Sequence, residues 1–116
     1  SSSAAVQVLY DYYARNKNAE PIYLICIDTA DDVMKGIEDG IVYGTMAQNV
    51  DAHGYVSCAV LYYMASEGYM AADNQFLVDS GVVLVTKDNL DTYKDDLDTL
   101  TKTITEELTT KYLVKP

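Results

Sequence analysis

Ile22 to Ile27 form a short, unbroken apolar run, IYLICI, that stops at Asp28. Pro21 precedes it, and no polar residue alternates within it. Such a run predicts a strand covered on both faces, as in a parallel sheet. Ile41 to Ala47, IVYGTMA, predicts a second strand, in which Gly44 marks a weak point or a close approach. Val82 to Val85 predicts a third.

Helical spacing fills the intervals. Ala5, Val6, Leu9 and Tyr13 gather on one face of a helix over 4–16, with a serine of the 1–3 run as its cap. A short helix over 30–39 turns Val33, Met34 and Ile37 toward the sheet, with Gly40 as its C′ residue. A longer helix over 51–67 buries Ala52, Val56, Ala59, Val60 and Tyr63 and closes at Gly68. Residues 69–79 read as irregular. A last helix over 90–109 carries the stripe Leu90, Tyr93, Leu97, Leu100, Ile104 and Leu108, with aspartates crowding its positive end. The order helix–strand–helix–strand–helix–strand–helix predicts an α/β fold with a doubly wound, mostly parallel sheet of three strands. Three strands leave at least one edge open, which a partner, a missing segment or strand exchange in a homodimer would cover.

The length of 116 residues suits one domain, not two domains with a cleft between them. A net charge of -10 at pH 7 repels phosphate backbones, so no nucleic-acid partner is expected; the same charge also keeps a surface soluble. Cys26 and Cys58 lack CxxC spacing and read as small buried hydrophobes; sequence does not tell whether they approach closely enough for a disulfide. No apolar run nears the roughly 20 residues of a membrane span. The chain starts at Ser1 without a methionine, as a processed or trimmed chain, or one that follows an unseen segment, would.

In open parallel sheets, ligands gather beyond the C-terminal strand ends. Asp28 follows the first strand; Gln48 and Asn49 follow the second. A carboxylate there can accept two hydroxyl hydrogens from a polyol, while a primary amide donates and accepts. An Asp at a strand end also serves as a helix cap, and Gln48 could equally bond a neighbouring loop. No catalytic set is visible. His53, the one histidine, falls in a helix's first turn and reads as a surface residue. No serine or cysteine has a base beside it in sequence, which leaves spatial pairs hidden. Asp31, Asp32 and Asp39 lack the alternating ligands of a metal loop, and no GxGxxG or P-loop pattern occurs, so no metal and no cofactor are expected. Most of the eleven tyrosines read as amphipathic packing residues; Tyr10, Tyr12, Tyr13, Tyr62 and Tyr63 cluster on helices, far from the strand ends.

The stretch Ile22–Asn89 resembles the C-terminal portion of type 1 periplasmic sugar-binding proteins, the ribose- and galactose-binding class, and the related effector domains of LacI-type repressors. Cys26-Ile27-Asp28 matches the strand whose aspartate holds ligand hydroxyls in that family. Asp39-Gly40-Ile41 leads to Ala47-Gln48-Asn49, twenty residues beyond Asp28; Gly54-Tyr55, Asp79-Ser80-Gly81-Val82 and Val85-Thr86-Lys87-Asp88-Asn89 follow in the family's order. Cys26 replaces the usual glycine, and Val50 replaces the proline after Gln-Asn, which removes a fixed φ there. The resemblance implies a single incomplete C-terminal lobe over 1–116, with 88–116 as a helical extension packing near or on the other lobe. It also implies a crossing between lobes near 73–80. A small sugar would be held between this lobe and a missing N-terminal lobe by Asp28, Gln48 and Asn49, then presented to a membrane permease or receptor outside the cytoplasm. A LacI-type regulator's effector domain, cytoplasmic, is the alternative it implies.

Overall fold

The computed structural model describes residues 2–73 and 77–116. The chain is mixed α/β and divides into two compact units, residues 1–48 with 82–93 and residues 49–81 with 94–116. In order, the elements are α1 (Ser2–Arg15), β1 (Ile25–Ile27), α2 (Asp31–Glu38), β2 (Gly44–Gln48), α3 (Val50–Ser66), β3 (Met70–Ala71), β4 (Val82–Val85), α4 (Tyr93–Glu107) and β5 (Leu113–Val114). A wider π-helical turn, Leu108–Tyr112, joins the last two.

The first unit holds a three-stranded sheet in the order β1-β2-β4. β1 and β2 run parallel, pairing Ile25 with Gly44 and Ile27 with Met46. β4 runs antiparallel to β2, pairing Thr45 with Val85 and Gln48 with Val82. The expected mostly parallel sheet is therefore corrected to a mixed one with one pairing of each kind. An apolar run such as Val82–Val85 carries no mark of direction; the connection that delivers it sets the sense. Gly44 does mark a close approach, because a Cβ there would lie 2.7 Å from the Val85 carbonyl oxygen.

One face of this sheet turns Cys26, Thr45, Ala47 and Val85 inward, all buried, and Val6, Leu9, Val33 and Ile37 of α1 and α2 are buried with them in the unit. Gly36 of α2 permits tight packing, since a Cβ would come within 2.7 Å of Val42 and 3.3 Å of Val6. The opposite face leaves Ile25, Ile27 and Val82 more than half exposed, and Leu84 nearly half. The expectation of a first strand covered on both faces is thus overturned: burial alternates along β1, and only the side of Cys26 is covered. α2 ends as expected. Gly40 takes φ +77°, and the amides of Gly40 and Ile41 return to the carbonyls of Ile37 and Gly36, a Schellman closure.

The second unit packs Ala52 and Val56 of α3 against Ile104 of α4 and Leu108 of the π turn, with Ala59, Val60, Tyr63, Val78 and Tyr112 flanking them. Cys58 is exposed, not buried as expected, because it lies roughly 200° around the helix from Val56. Both cysteines are free thiols. α4 begins at Tyr93 and not at residue 90. The Asn89 side chain accepts from the Thr86 amide and donates to the Leu84 carbonyl, and residues 87–92 form turns and a bend. Residues 69–79, expected to be irregular, include β3, which pairs with β5 through Met70–Val114 and Ala71–Leu113. Residues 94–116 belong to this unit with 49–81, and Tyr93 to the first. Residues 74–76 of the expected inter-lobe crossing lie outside the described residues. No helix among the described residues is long and apolar enough to cross a membrane.

Candidate functional site

β1 and β2 are parallel neighbours, so their C-terminal ends fall at the same end of the sheet. Asp28 follows β1 directly and Gln48 closes β2. Both are exposed. Gln48 Nε2 donates to Asp28 Oδ1 at 2.6 Å across twenty residues of sequence. This bond uses one amide hydrogen and one carboxylate oxygen. Among the described residues, the second carboxylate oxygen, the amide carbonyl and the remaining amide hydrogen have no other partner and can meet a ligand. The pair can accept hydroxyl hydrogens at two points and donate at one, the pattern that a small polyol satisfies.

The Asp28 backbone is held in an uncommon shape. Its φ is +76°, and it is the one non-glycine with positive φ among the described residues. Aspartate tolerates this left-handed region better than most residues, yet the conformation costs roughly 1–2 kcal/mol. Two bonds maintain it. The Asp28 amide donates to the Met46 carbonyl at 3.0 Å, and the Asp28 carbonyl accepts from Thr45 Oγ1 at 2.6 Å. Thr45 is fully buried. The strand therefore turns sharply at the residue whose carboxylate stands at the strand end. Thr45 was not singled out from sequence, because a threonine within a strand looks like ordinary β-former content.

Asn49, the third sequence-stated contact, has a different role. It is 2% exposed and belongs to the second unit. Its Oδ1 accepts from the Ala52 amide and caps α3. Its Nδ2 donates to Thr101 Oγ1 at 2.9 Å and to the Ser80 carbonyl at 3.0 Å, with the Leu97 carbonyl at 3.3 Å. Both ends of the amide are engaged inside the unit. Asn49, expected as a ligand contact, thus serves here as a clip joining α3, α4 and the segment before β4.

Elsewhere, His53 Nε2 lies 2.7 Å from Ser80 Oγ, a spatial pair that sequence could not show. It borders an apolar groove of about 520 Å³ lined by Ala52, Val56, Val60 and Val78. Among the described residues, no carboxylate bonds the other ring nitrogen, and the Gly81 amide beside the serine is engaged by Asp79 Oδ1. Serine catalysis pairs such a histidine with an orienting group and the serine with free backbone donors. Among the described residues, no three His, Cys, Asp or Glu side chains converge as metal ligands. Asp31 and Asp32 sit in the first turn of α2 and Asp39 caps its far end. Asp39 is bonded there by Tyr10 at 2.6 Å and paired with Lys35 at 3.0 Å. These bonds hold the Asp39 carboxyl below its usual range, and its hydrogen bond pushes the Tyr10 phenol up to about 12.

No protein-family model matches the chain. No curated protein matches it either.

Proposed function

We propose that this chain is part of a solute-binding lobe that holds a small sugar or polyol at the strand ends through Asp28 and Gln48. The observation that carries the reading is the Gln48–Asp28 hydrogen bond at the C-terminal ends of two parallel strands. It supports a site with its polar groups already oriented, of the kind that lowers the ordering cost of binding. Each hydrogen bond from a ligand hydroxyl to the carboxylate contributes about 1.5–3 kcal/mol. In finer terms, the sheet is half of a periplasmic-binding type 1 fold, whose parallel core tolerates one antiparallel edge strand. The exposed apolar face of β1 and β4 fits a lobe that other parts of a larger protein cover. A second lobe would supply the remaining contacts, and a membrane permease or receptor outside the cytoplasm would receive the loaded protein. Asn49 takes no part in the contact set.

A thermal-shift panel of pentoses, hexoses and polyols on the full-length protein, with both lobes present, tests this. One sugar is expected to raise the melting temperature, and the shift is expected to vanish in Asp28→Asn and Gln48→Leu. A panel in which no sugar shifts the protein, or a shift untouched by both substitutions, refutes it.

A further inference from the structure

We propose that Thr45 is the positioning residue of this site: its hydroxyl, not its bulk, holds Asp28 in the left-handed conformation and so sets the Asp28–Gln48 pair. The inference rests on the reading of Asp28 as a ligand contact. Its geometry stands on its own.

Thr45 lies on the buried face of β2, two residues behind Ala47 and three before Gln48, with no exposed surface. The strand partner of Thr45 is Cys26, two positions before Asp28, so its hydroxyl reaches forward along the neighbouring strand. There it donates to the Asp28 carbonyl at 2.6 Å. That carbonyl is displaced from the regular ladder, because a residue at φ +76° turns the chain out of the strand. Without the hydroxyl, the carbonyl loses its bond while the left-handed conformation keeps its intrinsic cost. The favoured relaxation is for Asp28 to return to negative φ, which swings Cα–Cβ and moves the carboxylate away from Gln48 Nε2. A hydroxyl inside the core thus governs a carboxylate at the surface.

The test compares Thr45→Val, isosteric without the hydroxyl, with Thr45→Ser, which keeps the hydroxyl and drops the methyl. Two ligand-free NMR readouts apply: the backbone couplings of Asp28 that report φ, and the Gln48 side-chain amide resonance that reports its bond to Asp28. Thr45→Val is expected to move both, Thr45→Ser neither. Sugar affinity is expected to fall about tenfold in Thr45→Val, the equivalent of one lost hydrogen bond, and to be restored in Thr45→Ser. A merely structural role would move melting temperature in both variants and leave the Asp28 couplings alone. Unchanged couplings in Thr45→Val overturn the inference. If that variant does not fold, Thr45→Ser decides: loss of the Gln48 signature there, with the hydroxyl present, overturns it, and retention supports it. A full-length wild-type protein that binds no sugar refutes the proposed function, while the couplings still decide the role of Thr45.

Discussion

Gln48 Nε2 and Asp28 Oδ1 stand 2.6 Å apart across the ends of β2 and β1. Two residues distant in sequence meet because parallel pairing brings both C-terminal ends to one side. Gln48 also closes the strand whose buried Thr45 bonds the Asp28 carbonyl. β2 therefore touches Asp28 from the side chain and from the backbone.

The left-handed φ of Asp28 predicts an inversion of the usual glycine penalty. Asp28→Gly is expected to be more stable than Asp28→Ala by about 1–2 kcal/mol, because glycine enters this region freely. Urea unfolding of the two variants measures the difference. Equal stabilities would mean that position 28 does not hold a positive φ in solution.

Asn49 is a buried clip, so its loss removes a helix cap and leaves carbonyls without a donor. Asn49→Ala is expected to cost at least about 2 kcal/mol. Asn49→Asp keeps the cap oxygen but turns a negative charge toward the Ser80 carbonyl, and is expected to be no better. Chemical denaturation of both distinguishes this from a surface contact, whose replacement would cost a few tenths.

Two helical glycines are expected to respond with opposite sign. A Cβ at Gly54 meets nothing within 4 Å, so Gly54→Ala should stabilise by about 0.5–1 kcal/mol. A Cβ at Gly36 falls 2.7 Å from Val42, so the overpacking cost of about 1–3 kcal/mol should exceed the helix gain there. Thermal melts of Gly36→Ala and Gly54→Ala give both signs in one experiment.

The Tyr10–Asp39 bond gives a pH dependence at both extremes. The Asp39 carboxyl is lowered first by the Tyr10 bond and then by Lys35, so its contribution is present above the unfolded carboxylate value and lost as pH falls through the lower folded one. Tyr10 is raised to about 12, chiefly by its bond to Asp39, so its contribution is complete below the unfolded value of about 10 and lost as pH climbs toward 12. Phenolate absorbance, wild type minus Tyr10→Phe, should show one tyrosine ionising well after an ordinary one. Asp39→Asn should bring that ionisation back toward 10.

Local patterns in the sequence determined where the main elements lie, since periodicity and breakers act over a few neighbours. The stripes of α3 and α4, the closing glycines Gly40 and Gly68, the close approach at Gly44 and the placement of Asp28 just beyond a strand end were legible this way, while Gln48, expected after the second strand, is its last residue. Tertiary structure decided what depends on partners far along the chain. The antiparallel sense of β4 follows from how its connection returns, and the β3–β5 pair joins residues that carry no strand signal by themselves. Asn49 became an interior clip because Ser80 and Thr101 arrive beside it, and Cys58 became exposed because the covered side of α3 is fixed by Ile104 and Leu108. The strained backbone of Asp28 and the hydroxyl that holds it were invisible for the same reason: a single φ and one hydrogen bond across two strands leave no periodic trace in a sequence.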